Sequence, residues 1–269
     1  MIQVPSRDLS AAAGEALKRY QAEVDSETDF GRRVELAVER FRRRNRKRNP
    51  VFRQVRRTLA SMCSGAQRCM YCEDSAADEV EHHRPKHLYP EQVFVWENYL
   101  YACGSCNSPK NSSFAVFTAG GLRVDLARRR DQTAVQPAIG DPVLLDPRIE
   151  NPLDYIMLDI LGSTFWFVPT PAPRSREFER ASYTIQLLRL NERDHLPVAR
   201  GEAYESYRAR LVEYVHERDA RAGQSPLRRM IRAIQRMQHP TVWFEMCRQN
   251  RQIPVLRPLF ERAPEALSW

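Results

Sequence analysis

Apolar residues recur at helical spacing near both ends of the chain and fall into short runs between them. Residues 6–22 read as a helix: Ser6 or Ser10 can cap it, and Leu17, Lys18 and Arg19 are good helix formers. Val34, Leu36, Val38 and Phe41 predict a second helix that runs into an arginine-rich block. Pro50 marks a break, and Val51, Phe52, Val55 and Leu59 predict another helix after it. Residues 76–118 read as short strands and turns with one short helix. Val80 leads a strand that Pro85 ends, since proline has no N–H to donate. Val93–Trp96 and Tyr99–Tyr101 are β-rich, and Cys106-Asn107-Ser108-Pro109 reads as a helix start.

Residues 119–175 form a connector of loops, with strands predicted at Val143–Pro147 and Thr164–Val168 and an extended Pro169, Pro171, Pro173 segment. Beyond it the chain turns helical again. Phe178, Ala181, Ile185 and Leu188 share one face, and Tyr204, Tyr207, Leu211 and Tyr214 form an aromatic stripe of the kind that faces a core. Leu227, Met230, Ile231, Ile234 and Met237 line a further helix that Pro240 should end. Its Arg228, Arg232 and Arg236 form a row that suits either phosphate or plain solvent. No internal repeat is visible. The pattern predicts an α+β, predominantly helical chain: a basic N-terminal helical region (1–60), a small central core (61–118), the connector (119–175) and a C-terminal helical region (176–269).

Charge sharpens this division. The 269 residues carry a net charge of +8 and are 42% apolar, enough for a real core in one large domain or two small ones. The excess is local. Residues 1–30 hold three cations against six carboxylates, whereas residues 31–60 hold twelve cations against Glu35 and Glu39. Arg42, Arg43, Arg44, Arg46, Lys47 and Arg48 are the densest part. Such a block favours phosphate contact over a solvated face or a dock for an acidic partner. There is no apolar leader at the N-terminus and no run of about 18 apolar residues that would span a bilayer. The expectation is a cytoplasmic protein with no membrane partner.

In that compartment paired cysteines favour metal over disulfide. Cys69-x-x-Cys72 and Cys103-x-x-Cys106 are two such pairs, separated by thirty residues. Four thiolates close a tetrahedral Zn²⁺ shell with no open position, which predicts a structural zinc. Cys63 and Cys247 lack such neighbours and read as small buried hydrophobes. The insertion between the pairs holds Glu81-His82-His83, and Asn107 follows Cys106 directly. Phosphodiester hydrolysis needs a base and a charge-neutralising cation. Histidine titrates near neutrality, and carboxylate and amide oxygens are the hard donors Mg²⁺ prefers.

The order Cys-x-x-Cys, Glu-His-x-x-Pro, Trp-x-Asn, Cys-x-x-Cys-Asn-x-x-Lys resembles the HNH endonuclease family in its zinc-stapled ββα-metal form. More narrowly, Cys69–Glu73, Glu81–Lys86, Leu144–Pro147 and Ala181–Asn191 resemble PtuB, the HNH subunit of the Septu and retron-associated anti-phage systems. The resemblance implies His82 as general base, Glu81 and Asn107 as ligands of a catalytic Mg²⁺ or other divalent ion, and Asn98 as a brace for the catalytic loop. The doublet leaves a second reading, in which His82 binds metal and His83 is the base; the proline spacing favours the first. Lys110 is expected to contact phosphate, and Arg84 and Lys86 join it as nucleic-acid contacts. The resemblance also implies a PtuA-like ATPase partner, consistent with the lack of a P-loop in this chain. It favours DNA as substrate. A tRNA-directed RNase of retron type and a non-catalytic zinc-knuckle binding module are the rival readings.

Overall fold

Three amphipathic helices open the chain: α1 (Ala11–Asp25), α2 (Phe30–Arg44) and α3 (Pro50–Met62). The computed structural model describes residues 1–126, 133–162 and 164–269, so part of the predicted 119–175 connector lies outside the described residues. Each opening helix starts at a short polar side chain that accepts a first-turn N–H. Ser10 takes Ala13, Asp29 takes Arg32 and Asn49 takes Val51. Pro50 therefore begins α3, where its missing N–H costs nothing. Buried stripes on the three helices, among them Leu17 and Val24, Val34 and Phe41, and Phe52, Val55 and Leu59, pack into one core.

The central region follows as β1 (Glu79–His82), β2 (Tyr99–Ala102) and α4 (Gly104–Lys110). The strands pair antiparallel, with Glu81 opposite Leu100 and His82 opposite Tyr99. Two expectations fail here. The helix starts at Gly104 and not after Cys106, because the carbonyl of Cys103 already receives the N–H groups of Cys106 and Asn107. Pro109 consequently lies inside the helix. Val93–Trp96 forms no strand: 3₁₀ turns at Pro90–Gln92 and Trp96–Asn98 flank it. Its apolar run instead buries Val93 and Phe94 as plugs, and the Val93 carbonyl is satisfied by side chains, His82 and Tyr99.

Beyond α4, β3 (Phe114–Phe117), β4 (Arg123–Leu126) and β5 (Asp141–Pro142) form an antiparallel sheet of order β4-β3-β5. A hairpin of β6 (Ile156–Leu158) and β7 (Phe167–Pro169) comes next. The strands predicted at 143–147 and 164–168 are thus displaced. Val143, Leu144 and Leu145 are core residues, with Val143 N bonded to Ala115 O and Leu145 N to Thr184 Oγ1. The rest is α5 (Arg176–Leu187), α6 (His195–Asp219), α7 (Gln224–Gln235), α8 (Pro240–Gln249) and α9 (Arg257–Arg262). Pro240 opens α8, and α7 ends before it of its own accord. Tyr204, Tyr207, Leu211 and Tyr214 are buried, as a core stripe should be. The chain is α+β, about half helical with small sheets, and a single continuous buried cluster runs from Met1 to Ala266. Among the described residues no helix is long and apolar enough to cross a membrane.

Candidate functional site

The first knuckle is a tight turn. Glu73 N bonds to Cys69 O at 2.9 Å, and Glu73 adopts a left-handed φ of 62° to close it. Met70 N reaches Tyr101 O at 3.0 Å and so fastens this turn to β2. The second knuckle is the start of α4. Together they bury Cys69, Cys72, Cys103 and Cys106, with all four sulfurs within 4.8 Å of one another. The Cys72 and Cys103 sulfurs are 3.8 Å apart. Tetrahedral ligands at a Zn–S distance of about 2.3 Å stand about 3.8 Å apart, so the shell has the size and chemistry for a metal such as zinc. Hydrogen bonds from Cys106, Cys69 and Cys72 hold the Cys103 thiol well below its ordinary range, whereas burial pushes Cys69 up and the hydrogen bond with Cys103 pushes Cys106 up, so the four sulfurs share protons among themselves. Arg193 Nη2 donates to Cys106 Sγ at 3.3 Å and to Leu188 O at 3.2 Å, which places a cation beside the sulfur shell. Cys63 and Cys247 stay apart, their thiols raised to about 12 by burial.

The residue after Cys72, Glu73, is buried as well. It accepts from Thr241 Oγ1 at 2.8 Å and Thr241 N at 3.1 Å, and its Oε1 lies 3.1 Å from the Met1 ammonium. The shell is therefore tied to α8 on one side and, through Arg193, to the approach to α6 on the other.

A cleft of about 310 Å³ opens beside the shell, with Glu81, His82, Pro85 and Lys86 on one side and Asn107, Ser108 and Asn111 on the other. Three residues that sequence reasoning grouped, Glu81, His82 and Asn107, thus line one space. His82 Nε2 lies 2.9 Å from the Val93 carbonyl, which can only accept. Nε2 therefore carries the proton, and Nδ1 keeps its lone pair. The ring packs edge-on against Phe41 and Tyr99, with centroids at 4.4 and 5.2 Å. Burial, helped by the charge of Lys86, pushes its pKa well below the ordinary histidine range, so the imidazole is neutral. His83, one residue on and just past the end of β1, turns to the other side. Its Nε2 lies 3.2 Å from Leu144 O, its Nδ1 3.5 Å from Asp146 Oδ2, and it does not line the cleft.

Lys110 corrects an expectation. It is fully buried, with Nζ 2.5 Å from Glu81 Oε1 and 2.7 Å from His82 O, so it braces β1 from behind and does not reach phosphate. Asn98 lies outside the cleft and pins the loop after β1. Its Oδ1 accepts from Arg84 N at 2.7 Å, and its Nδ2 donates to Arg84 O and Gln92 O, each at 3.0 Å. Asn107 Nδ2 donates to Glu79 Oε2 at 2.5 Å. Sequence reasoning passed over Glu79, although its place two residues before Glu81 puts both on one strand face. It also passed over Phe41 as a wall for His82 and Arg193 as a partner of the sulfur shell.

The basic candidates divide. Arg84 stacks over Tyr89 and Phe114 at 5.1 and 5.8 Å and lines a different pocket with Arg33 and Gln136, whereas Lys86 lines the cleft. Arg44 is engaged, bonded to Glu23 at 3.1 Å and stacked 4.2 Å over Tyr20. Arg40 and Arg33 pair likewise with Glu23 and Asp25, so the acids of α1 neutralise one flank of α2. Arg42, Arg43, Arg46, Lys47 and Arg48 remain exposed. They follow Phe41 in the chain; Phe41 touches His82, and the Lys86 ammonium lies 5.4 Å over its ring. Arg228, Arg232 and Arg236 are exposed on and just past α7.

No family profile matches the chain, and no solved structure does. Septu protein PtuB of Bacillus thuringiensis is 36% identical to it over 69 residues. That stretch is 24% of this chain and 27% of the PtuB chain, so the likeness is partial. Among the described residues the four cysteines are the only group of three or more His, Cys, Asp or Glu side chains close enough to share an ion.

Proposed function

We propose that the chain is a metal-dependent endonuclease of the HNH type that cleaves nucleic acid in anti-phage defence, working with a PtuA-like ATPase. The observation that carries the reading is the shared cleft: the neutral imidazole of His82, the carboxylate of Glu81 and the amide of Asn107 line one space together with Lys86. The partial likeness to Septu protein PtuB supports the defence context and the partner.

In this reading the cysteine shell holds zinc and fixes the register of α4, and with it Asn107. His82 Nδ1 takes the proton of the attacking water, and the bond from Nε2 to Val93 O keeps the ring in the tautomer that can do so. Glu81 and Asn107 hold the divalent ion, Mg²⁺ or a similar hard cation, in the cleft. When bound, that ion supplies positive charge against the phosphate oxygens as the leaving oxygen departs. Lys86 and the exposed Arg42, Arg43, Arg46, Lys47 and Arg48 hold the phosphate backbone. Phosphate contacts do not tell DNA from RNA. The family resemblance favours DNA.

The test is cleavage of labelled DNA and RNA panels by the purified protein, alone and with the ATPase, with and without a chelator. His82→Ala is expected to lower cleavage by about 10²–10⁴-fold while the metal content of the cysteine shell stays unchanged. Wild-type cleavage by that variant overturns the assignment.

A further inference from the structure

Two contacts of opposite polarity link β1 to α4 at the cleft. Asn107 Nδ2 donates to Glu79 Oε2, and Lys110 Nζ sits on Glu81 Oε1, each at 2.5 Å. An amide held by its nitrogen leaves its oxygen free of that partner, and Asn107 lines the cleft that Glu81 also lines. A carboxylate with one oxygen held by an ammonium keeps the second oxygen for another partner. The Lys110 ammonium has no freedom to leave: the residue is wholly buried, and its bond to His82 O at 2.7 Å ties it to the strand.

The charges in and directly behind the cleft also balance. Glu79 and Glu81 stand against Lys86 and Lys110. A hard divalent cation takes about six oxygen ligands and favours anionic ones. Two protein oxygens with no surplus negative charge meet only part of that demand, and a phosphodiester oxygen brings both a ligand and a charge.

We propose that Glu79 and Lys110 are positioning residues that present Asn107 Oδ1 and Glu81 Oε2 as the protein's two cleft donors, and that the cation binds tightly only together with the substrate phosphate. This rests on the nuclease reading. Neither side chain needs to touch substrate: Glu79 acts through Asn107, and Lys110 acts through Glu81. By linkage, the factor by which nucleic acid tightens the cation equals the factor by which the cation tightens nucleic acid.

The experiment is Mn²⁺ binding followed by electron paramagnetic resonance on full-length, zinc-loaded protein carrying His82→Ala, with and without a short DNA duplex. Binding is expected to tighten by about tenfold or more when the duplex is added. Glu79→Lys in the same background offers an ammonium to Asn107, draws Oδ1 away from the cleft and is expected to weaken duplex-dependent Mn²⁺ binding by about tenfold. Glu79→Gln still accepts from Nδ2 and is expected to retain the wild-type response. Lys110→Met leaves the Glu81 charge unopposed and is expected to tighten Mn²⁺ binding without nucleic acid, in the direction opposite to a lost phosphate contact. Glu79 lies at the exposed end of β1, so its variants remain decisive where Lys110→Met fails to fold. Equal Mn²⁺ binding with and without duplex, or identical behaviour of Glu79→Lys and Glu79→Gln, overturns the proposal. If cleavage depends on His82 while Mn²⁺ binding ignores Glu79, only the positioning proposal falls. If cleavage ignores His82, the nuclease reading falls first.

Discussion

Helix α4 serves two sites of opposite build. At its start Cys103 and Cys106 complete a shell whose four donors all come from the chain and are all buried. Along its flank Asn107 faces a half-open cleft, where the one buried carboxylate already shares its charge with Lys110. A closed shell contributes folding energy and leaves no room for substrate. An open one leaves positions to fill. Asn107 follows Cys106 without a gap, so whatever fixes the first site also aims the second.

The sharpest way to break this comparison is to open the closed shell. Cys103→Ser is expected to abolish metal retention and lower the melting midpoint by roughly 10 °C or more, because a structural zinc contributes about 10–16 kcal/mol of apparent binding free energy. Metal analysis and a thermal melt read both, and an unchanged metal content refutes the four-sulfur shell. Asn98→Ala attacks the frame of the open site alone. It strips partners from Arg84 N, Arg84 O and Gln92 O, and is expected to cost about 2–4 kcal/mol in denaturant melts and to slow cleavage while the shell keeps its metal.

Acid should also act on the side of the open site. Burial depresses the pKa of His82, and of His83 against the opposing pull of Asp146. Unfolded histidines take up protons near about pH 6.5, and the folded ones do so only at lower pH. Their contribution to stability is therefore complete above about pH 6.5 and is lost as the pH falls through that value toward the folded pKa. Urea melts at pH 7.5 and 5.5 should differ by on the order of 1 kcal/mol, with His83→Gln reducing the difference. The smallest effect belongs to the cysteines outside the shell. Cys63→Ala is expected to cost about 1 kcal/mol or less and leave metal content intact. Thiols raised to about 12 should resist iodoacetamide at pH 8 in the native protein, as mass spectrometry of the alkylated chain would show.

The closed site was far more legible in the sequence than the open one. Cysteine pairs announce themselves by spacing, and the opening helices by a serine cap at Ser6 or Ser10, the break at Pro50 and their apolar stripes. The proline spacing favours His82 over His83 in the doublet, but only the fold shows that His83 turns toward Leu144 and Asp146. Lysine patterns misled, because Lys110 looks like any cation until its burial against Glu81 is seen. Arg44 misled for a related reason: its neutralising partner, Glu23, lies on another helix. Val93–Trp96 has strand composition, yet side-chain donors rather than a neighbouring strand satisfy the Val93 carbonyl. Glu79 was within reach, since period-two spacing from Glu81 places it on the same face.

The polar partners of the sulfur shell come late in the chain. Thr241 lies 168 positions beyond Glu73, and Arg193 lies 87 beyond Cys106. During synthesis the four cysteines therefore emerge from the ribosome well before the arginine and the threonine that secure their surroundings. A nascent chain is expected to capture its ion early and to finish folding around it only after the C-terminal helices are released, with Glu73 still lacking its threonine and the sulfur centre its arginine in the interval.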